Sequence, residues 1–569
     1  MSRPWRNFAI LLFIGSLLFG GLVGEKLLAV SDETQGQIRL YTELLQAAHE
    51  SYGAEVEYRD LVYASINGML RTLDPHTNFL TPEDYEEMRE RQQASFFGLG
   101  ILVSKRNGEL TVISPIEGTP AWRLGLRAGD IISMIEGEPT DTMSLDEAVT
   151  KLKGPKGTQV NVAITRRGLD EPLQMAITRA EIPQNTVRYA YMMTPDTGYI
   201  RLTDFSRSTG REMRESLDKL KGEGMSQLLL DLRSNGGGLL DQTVTVSNFF
   251  VPQETRIVET RGRLADSYQT FFSDGTYDPL DIPVVVLVNN GTASAAEILA
   301  GAIQDHDVGL VLGTPTWGKG LVQTVYNLSY GSGLALTTAK YYTPSGRLIQ
   351  RDYSSFYDYY THFGQEGEDD SAADVEVDLD ADGGGAEGVS ELPTTDTPPD
   401  DVEVFVTDLG RDVYGGGGIT PDVLMELPDG PQILTALFAQ NAFFDFAVDY
   451  HGRHQIQDPT WQPPAGIVDD FRNWVLEEEI VDAEAIDDML ADLEAKEFTQ
   501  RQIHADIFTS AFGTQASHQV LSEGDAQIQA ALELFDEAAA LLERRHRLKA
   551  SQSVEIADTD GGDAVSGDG

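Results

Sequence analysis

"IPVVVLVNNGTASAAEILAGAIQDH", residues 282 to 306, runs from a short apolar strand through a polar turn into an alanine-rich helix. Strand, turn and helix in that order are the repeating unit of a layered α/β core. Ser294 stands at the junction of turn and helix. Ser294-Ala-Ala-Glu297 fits a capping box, in which a hydroxyl and a carboxylate three residues on satisfy orphan amides. The same serine would be exposed at a sheet edge beside the positive end of a helix, where negative charge is favoured. From these residues alone the cap is the commoner explanation, and a nucleophile stays open.

Outward from this stretch, residues 183 to 363 keep alternating. "TGYIRLTDF", "SQLLLDLR" and "VGLVLGTP" read as further strands, with "GREMRESLDKLKGEG" and "LDQTVTVSNFF" as helices between them. The order predicts a layered α/β core with its active loops at the carboxyl ends of the strands. Serine at its ordinary pKa needs a base. His306 lies past the helix, about 15 Å or more from Ser294, and is set aside. Lys319, in "GTPTWGKGLVQT", follows the strand "VGLVLG", and neighbouring parallel strands would bring its loop to Ser294. A lysine acts as a base only when desolvated, which Trp317, Gly318, Gly320 and Leu321 allow. Taken alone it is an ordinary surface lysine. Gln323, four residues on, shares a face with it in a strand or helix and could orient the ammonium. "DLRSNGGGLLD" supplies Gly236, Gly237 and Gly238, whose bare backbones can approach an oxyanion, and Ala295 adds the amide after the serine. Those glycines also suit a plain strand-to-helix turn.

Composition removes other chemistries. With 569 residues and 41% hydrophobic content the chain holds several domains, and with no cysteine it has no disulfide, thiolate metal site or cysteine nucleophile. The net charge of −49 argues against nucleic acid as a partner. No metal site and no cofactor are expected: residues 364–402 hold 14 acidic and no basic residues but lack the spaced acidic loop of a calcium site. That stretch reads as a disordered acidic insertion, and 551–569 as a disordered tail.

Residues 1–31 read as a signal sequence or membrane anchor. Arg3 and Arg6 precede the uncharged stretch from Phe8 to Gly24, so the body is expected outside the cytoplasm, in the cell envelope on the periplasmic side, behind a single transmembrane segment. Residues 32–90 follow as a helical region ended by Pro75 and Pro82, with His76 a lone loop histidine. From 91 to 182 short glycine-bounded strands take over, with one helix in "SLDEAVTKLKG". "AGDIISMIEGEPT" followed by that helix resembles a PDZ domain. "FFGLGI" is then similar to the loop whose amides, around Leu99 and Gly100, receive a peptide's terminal carboxylate while the strand from Ile101 pairs with the peptide. Residues 183–363 and 403–428 form the core, and 429–550 a helical region.

"NGTASAAEILAGAIQD", "GTPTWGKGLVQT", "LALTTAKYYTPSGRLIQ", "DLRSNGGGLL" and "GGGGITPDV", behind a PDZ-like unit, resemble the carboxyl-terminal processing peptidases over about residues 60 to 425. The resemblance implies a layered α/β (ClpP/crotonase-like) peptidase core with an inserted PDZ domain and helical N- and C-terminal regions. It implies a Ser-Lys serine endopeptidase whose partners are polypeptides with free, largely apolar C-termini. Carried over, Ser294 is the nucleophile, Lys319 the general base, Gln323 its orienting residue, and Gly237 and Ala295 the oxyanion donors. The family often has proline where Gly236 stands, which leaves open whether Gly237 or Gly238 points its amide inward. The rival reading is a non-catalytic PDZ scaffold that binds protein C-termini. A homo-oligomer or an activator protein stays open.

Overall fold

The computed structural model describes residues 32–106, 108–351, 403–427 and 431–561. The expected membrane segment at 1–31 and the acidic insertion at 364–402 lie outside the described residues. Among the described residues no helix is long and apolar enough to cross a membrane. The described residues up to Thr81, with Val325–Leu336, form one compact unit, and Pro82–Thr324 with the residues from Thr337 onward form another.

In the first unit the helices Asp32–Ser51 and Tyr58–Leu70 pack on each other. The reading of 32–90 as helices ended by a loop with Pro75 and Pro82 needs correction in two places. Asp74 accepts the amides of His76 and Thr77 at 2.8 Å each, and the chain leaves this turn as a strand, Asn78–Leu80, paired antiparallel with Gly333–Ala335. Pro82 ends nothing. It opens the helix Pro82–Gln93, where its missing N–H is one that a helix leaves unpaired anyway.

Six strands make the central sheet of the second unit: Val187–Met192, Thr197–Leu202, Gln227–Asp231, Val284–Val288, Leu310–Gly313 and Val423–Leu424, in that spatial order. Only the first pair is antiparallel. Alternate residues serve opposite faces. Ile200, Leu228, Leu230, Val284 and Val286 share a core with the helices Thr209–Gly222, Leu240–Ser247 and Ala295–Asp305. Tyr199, Leu229, Val285, Leu287 and Leu312 instead meet Ile528, Ala531, Phe535 and Leu541 of the C-terminal region. Both faces are therefore covered, which is why the strands read as unbroken apolar runs. Each such side chain withdrawn from water contributes roughly 1.5–3 kcal/mol. All residues of Ala295–Asp305 are buried, and its small residues permit this: a Cβ on Gly301 would meet Thr343 at 3.1 Å and Ile419 at 3.2 Å.

Ahead of the core, Ile101–Arg106, Glu109–Pro115, Ile131–Ile135, Gln159–Thr165 and Leu173–Thr178 form one antiparallel sheet in that order. The helix Leu145–Leu152, capped by Ser144 onto the Glu147 amide at 3.1 Å, closes over its own core of Leu110, Val112, Ile132 and Val160. Ser95–Gly98 pairs with Ala180–Pro183 where the chain enters and leaves.

From Gln432 the chain is helical, with a core around Phe443, Phe446, Phe471 and Ile503. The last helix, Phe535–Gly561, runs through the start of the segment expected to be a disordered tail from 551, up to the last described residue. The helix Ala442–His454 meets the small antiparallel sheet, with the Arg106 guanidinium 4.0 Å over the Phe444 ring and 3.9 Å from Asp445. Burial pushes the nearby Asp506 carboxyl up to about 6, against the opposing pull of Gln502 and Arg106. The native protein thus holds this proton more tightly than the unfolded chain. The stability this gives is full below the ordinary carboxylate value of 3.8 and lost as pH rises through about 6. Asp506→Asn should raise the urea midpoint at pH 8 by an amount worth on the order of 1–2 kcal/mol and barely change it at pH 4. An equal effect at both pH values would refute a titrating Asp506.

Candidate active site

The chain leaves Val284–Val288 through a turn fixed by its own side chains. Asn289 Oδ1 accepts the Gly291 amide at 3.1 Å and the Ser234 amide at 2.7 Å, while Thr292 Oγ1 donates to the Leu232 carbonyl at 2.9 Å. The turn bearing Ser294 is thereby tied to the glycine turn after Gln227–Asp231. Ser294 is held at φ 55° and ψ −116°, a sparsely populated conformation that costs about 1–3 kcal/mol and holds the partly exposed side chain beyond the carboxyl end of a central strand.

Glu297, fully buried one turn into the helix, does more than cap it. One carboxylate oxygen, Oε2, accepts both the Ser294 amide at 2.7 Å and the Lys319 amide at 2.9 Å. The other accepts the Gly318 amide at 2.7 Å and the Thr316 hydroxyl. Burial raises the Glu297 pKa, and these hydrogen bonds pull it back only in part. On the carbonyl side, the Tyr341 hydroxyl bonds the Ser294 carbonyl at 3.0 Å and also the Lys319 carbonyl. Having one proton, it donates to one carbonyl at a time. Ser294 and Lys319, 25 positions apart in sequence, thus share one carboxylate oxygen and one hydroxyl.

Lys319 is half-buried in the loop before the strand Leu321–Asn327, and its Nζ donates to Gln323 Oε1 at 2.9 Å. His306 is buried elsewhere, its ring nitrogens 2.8 Å from Asp408 and 2.7 Å from the Arg256 carbonyl. The glycine turn does reach the serine: a Cβ on Gly237 would lie 2.8 Å from Ser294 Cβ and 2.9 Å from the Ala295 nitrogen. The Gly237 N–H donates to Asn235 Oδ1 at 2.9 Å. The Asn235 side chain folds back two residues along its own backbone, as asparagine in a turn commonly does. The amides of Ala295, Gly236 and Gly238 carry no hydrogen bond among the described residues.

In the small antiparallel sheet, the carbonyls of the expected carboxylate loop turn inward. Leu99 accepts the Ala121 amide at 3.0 Å, and Gly100 accepts the Ile116 amide at 2.9 Å and the Thr119 hydroxyl at 3.0 Å. Gly100 has φ 79°, and a Cβ there would meet Thr119 Cβ at 2.2 Å. Ile101 opens the edge strand of the sheet. Among the described residues no cluster of histidine and carboxylate side chains could hold a metal ion.

The sequence reading missed the reach of Glu297, visible only as a cap, and missed Tyr341 altogether. No local pattern marks a tyrosine whose hydroxyl bridges two distant loops.

Residues 196–354 match Peptidase family S41, and residues 111–166 match the PDZ domain. A carboxy-terminal-processing protease of Bartonella bacilliformis is 39% identical over 328 residues, covering 56% of this chain and 73% of that protein. A carboxy-terminal processing protease, CtpA, of Bacillus subtilis is 33% identical over 331 residues, covering 58% and 70%. Among solved structures, a photosystem II D1 C-terminal processing protease is 31% identical, covering 55% of this chain and 90% of its own at a TM-score of 0.32. With its PDZ domain and S41 core, the chain belongs to the carboxy-terminal processing proteases, serine peptidases of family S41.

Proposed function

We propose that this protein is an extracytoplasmic endopeptidase that takes free, largely apolar C-terminal tails at its PDZ domain and cuts them with Ser294 and Lys319. The observation that carries the reading is the Glu297 carboxylate, which holds the serine and lysine loops through a single oxygen, while Gln323 holds the lysine head. In the reaction Ser294 Oγ attacks the scissile carbonyl carbon and its proton passes to neutral Lys319 Nζ. The oxyanion faces the Ala295 amide together with one glycine amide of 236–238, Gly236 and Gly238 being the two without a hydrogen bond. Lys319 returns the proton to the departing amine, then takes one from the water that attacks the acyl ester and passes it to Ser294 Oγ as the ester bond breaks. The charge-free stretch behind Arg3 and Arg6 supports a body carried outside the cytoplasm on an N-terminal anchor.

The test is cleavage of an unfolded reporter with an apolar C-terminus, beside the same reporter with its carboxylate masked and beside the Ser294→Ala protein. Cleavage that requires both Ser294 and the free tail supports the reading. Tight tail binding with no cleavage favours a scaffold. For the loop of Leu99, Gly100 and Ile101, a Cβ at Gly100 must displace the loop from Thr119. Gly100→Ala should therefore weaken binding of an apolar C-terminal peptide, read by fluorescence anisotropy, by about tenfold, equal to about 1.4 kcal/mol. Unchanged peptide affinity would remove the carboxylate from this loop.

A further inference from the structure

We infer that the C-terminal helices act as a strut for the active-site glycine turn, with Asp525 and Gln527 as positioning residues that work through Arg233. The inference rests on the reading of Ser294 as the nucleophile and of the 236–238 turn as its oxyanion partner.

Arg233 is buried and shared between two parts of the fold. Its Nε and Nη2 donate to Asp231, the last residue of a central strand, at 3.1 and 2.7 Å. Its Nη1 lies 2.8 Å from Asp525 Oδ2 and donates to Gln527 Oε1 at 3.0 Å. Asp525 is fixed in turn, because its other oxygen caps the helix Ala526–Glu533 by accepting the Ile528 amide at 3.0 Å. Gln527 is fixed by donating to the Met425 carbonyl at 2.9 Å. The guanidinium therefore sits between two carboxylates and an amide, which leave it little freedom.

The cradle bears on the reaction through the backbone. Arg233 is followed at once by Ser234, with φ 54°, and then by Asn235, whose carbonyl accepts the Ala293 amide at 2.8 Å. After Gly236 comes Gly237, packed on Ser294. A shift of the guanidinium passes along this short strained segment into the amides around the oxyanion position. The same C-terminal segment is held down beside this point. Tyr191 Oη bonds Ser522 Oγ at 2.8 Å, and His518 lies 3.2 Å from Tyr191 Oη and 3.4 Å from Tyr199 Oη. Tyr199 Oη in turn donates to Asp231 at 2.8 Å. The C-terminal region thus closes over the strand end that begins the glycine turn.

A merely structural role and a positioning role separate in kinetics. Asp525→Asn keeps a good helix cap and removes the charge from Arg233, so the full-length variant should fold with a nearly unchanged melting point. For the strut, kcat on the tail reporter falls about tenfold or more, while KM and the anisotropy-measured peptide affinity stay within about twofold of the parent. A folded Asp525→Asn protein with parental kcat overturns the strut and leaves the Ser-Lys reading standing. A fall in kcat that only tracks a lowered melting point also overturns it. Failure of the unsubstituted protein to show Ser294-dependent cleavage overturns both readings together.

Discussion

Ser294→Ala and Lys319→Met should each lower turnover of the tail reporter by on the order of 10,000-fold or more, while peptide affinity stays within about twofold. The two residues act as one unit, so the double variant should be little worse than either single one. Physical reasons for an effect this large are local. Ser294 is held in a strained turn whose partners do not depend on its hydroxyl: the amide goes to Glu297 and the carbonyl to Tyr341. Alanine should therefore leave the turn in place and remove only the attacking oxygen. Lys319 is similarly fixed through its backbone by Glu297 and Tyr341, so methionine, close to lysine's stem in length and flexibility, removes only the head that meets Gln323. Turnover in either purified, folded variant above about one-hundredth of the parental rate would exclude the Ser-Lys mechanism.

How much of this was legible follows from which interactions are local. The strand Val284–Val288 and the helix Ala295–Asp305 could be read because β-branched and alanine-rich runs declare themselves within a few residues. Lys319 beside Ser294 could be inferred from topology, since Leu310–Gly313 lies next to Val284–Val288 in the parallel sheet. Gln323 was within reach because it lies four residues from its partner. Which glycine amide faces inward was not legible, because the Gly237 N–H answers to the rotamer of Asn235, which no spacing rule fixes. The Pro82 error was of another kind: proline ends a helix or starts one, and here the chain arrives at it as the strand Asn78–Leu80 and not as a helix. Least legible were the ties across the chain. Arg233 meets Asp525 nearly three hundred positions away, and Tyr341 reaches two loops at once. These depend on the third layer of helices and on the return of the chain, which are properties of the folded whole.

Glu297→Ala should be nearly as damaging as loss of the serine itself, lowering kcat by on the order of 1,000-fold and the urea midpoint with it. It leaves the amides of Ser294, Gly318 and Lys319 without an acceptor in a buried site, at about 1–3 kcal/mol each. That total is a large part of the 5–15 kcal/mol by which domains are stable. Glu297→Gln separates charge from geometry. Its NH2 can be placed on either side, but at the Oε2 position it would face two amide donors, Ser294 and Lys319. At the Oε1 position it faces one amide, Gly318, and a threonine hydroxyl that can turn to accept. The second placement costs less. It keeps the oxygen that joins the serine and lysine loops and gives up mainly the Gly318 bond. The glutamine protein should therefore fold with a loss of about 1–3 kcal/mol and keep activity within roughly tenfold of the parent. Glutamine as inactive as alanine, in a folded protein, would mean that negative charge matters more than the shared oxygen. Alanine with activity within tenfold of the parent would mean that the two loops meet without the carboxylate, and the observation on which the proposed function rests would lose its force.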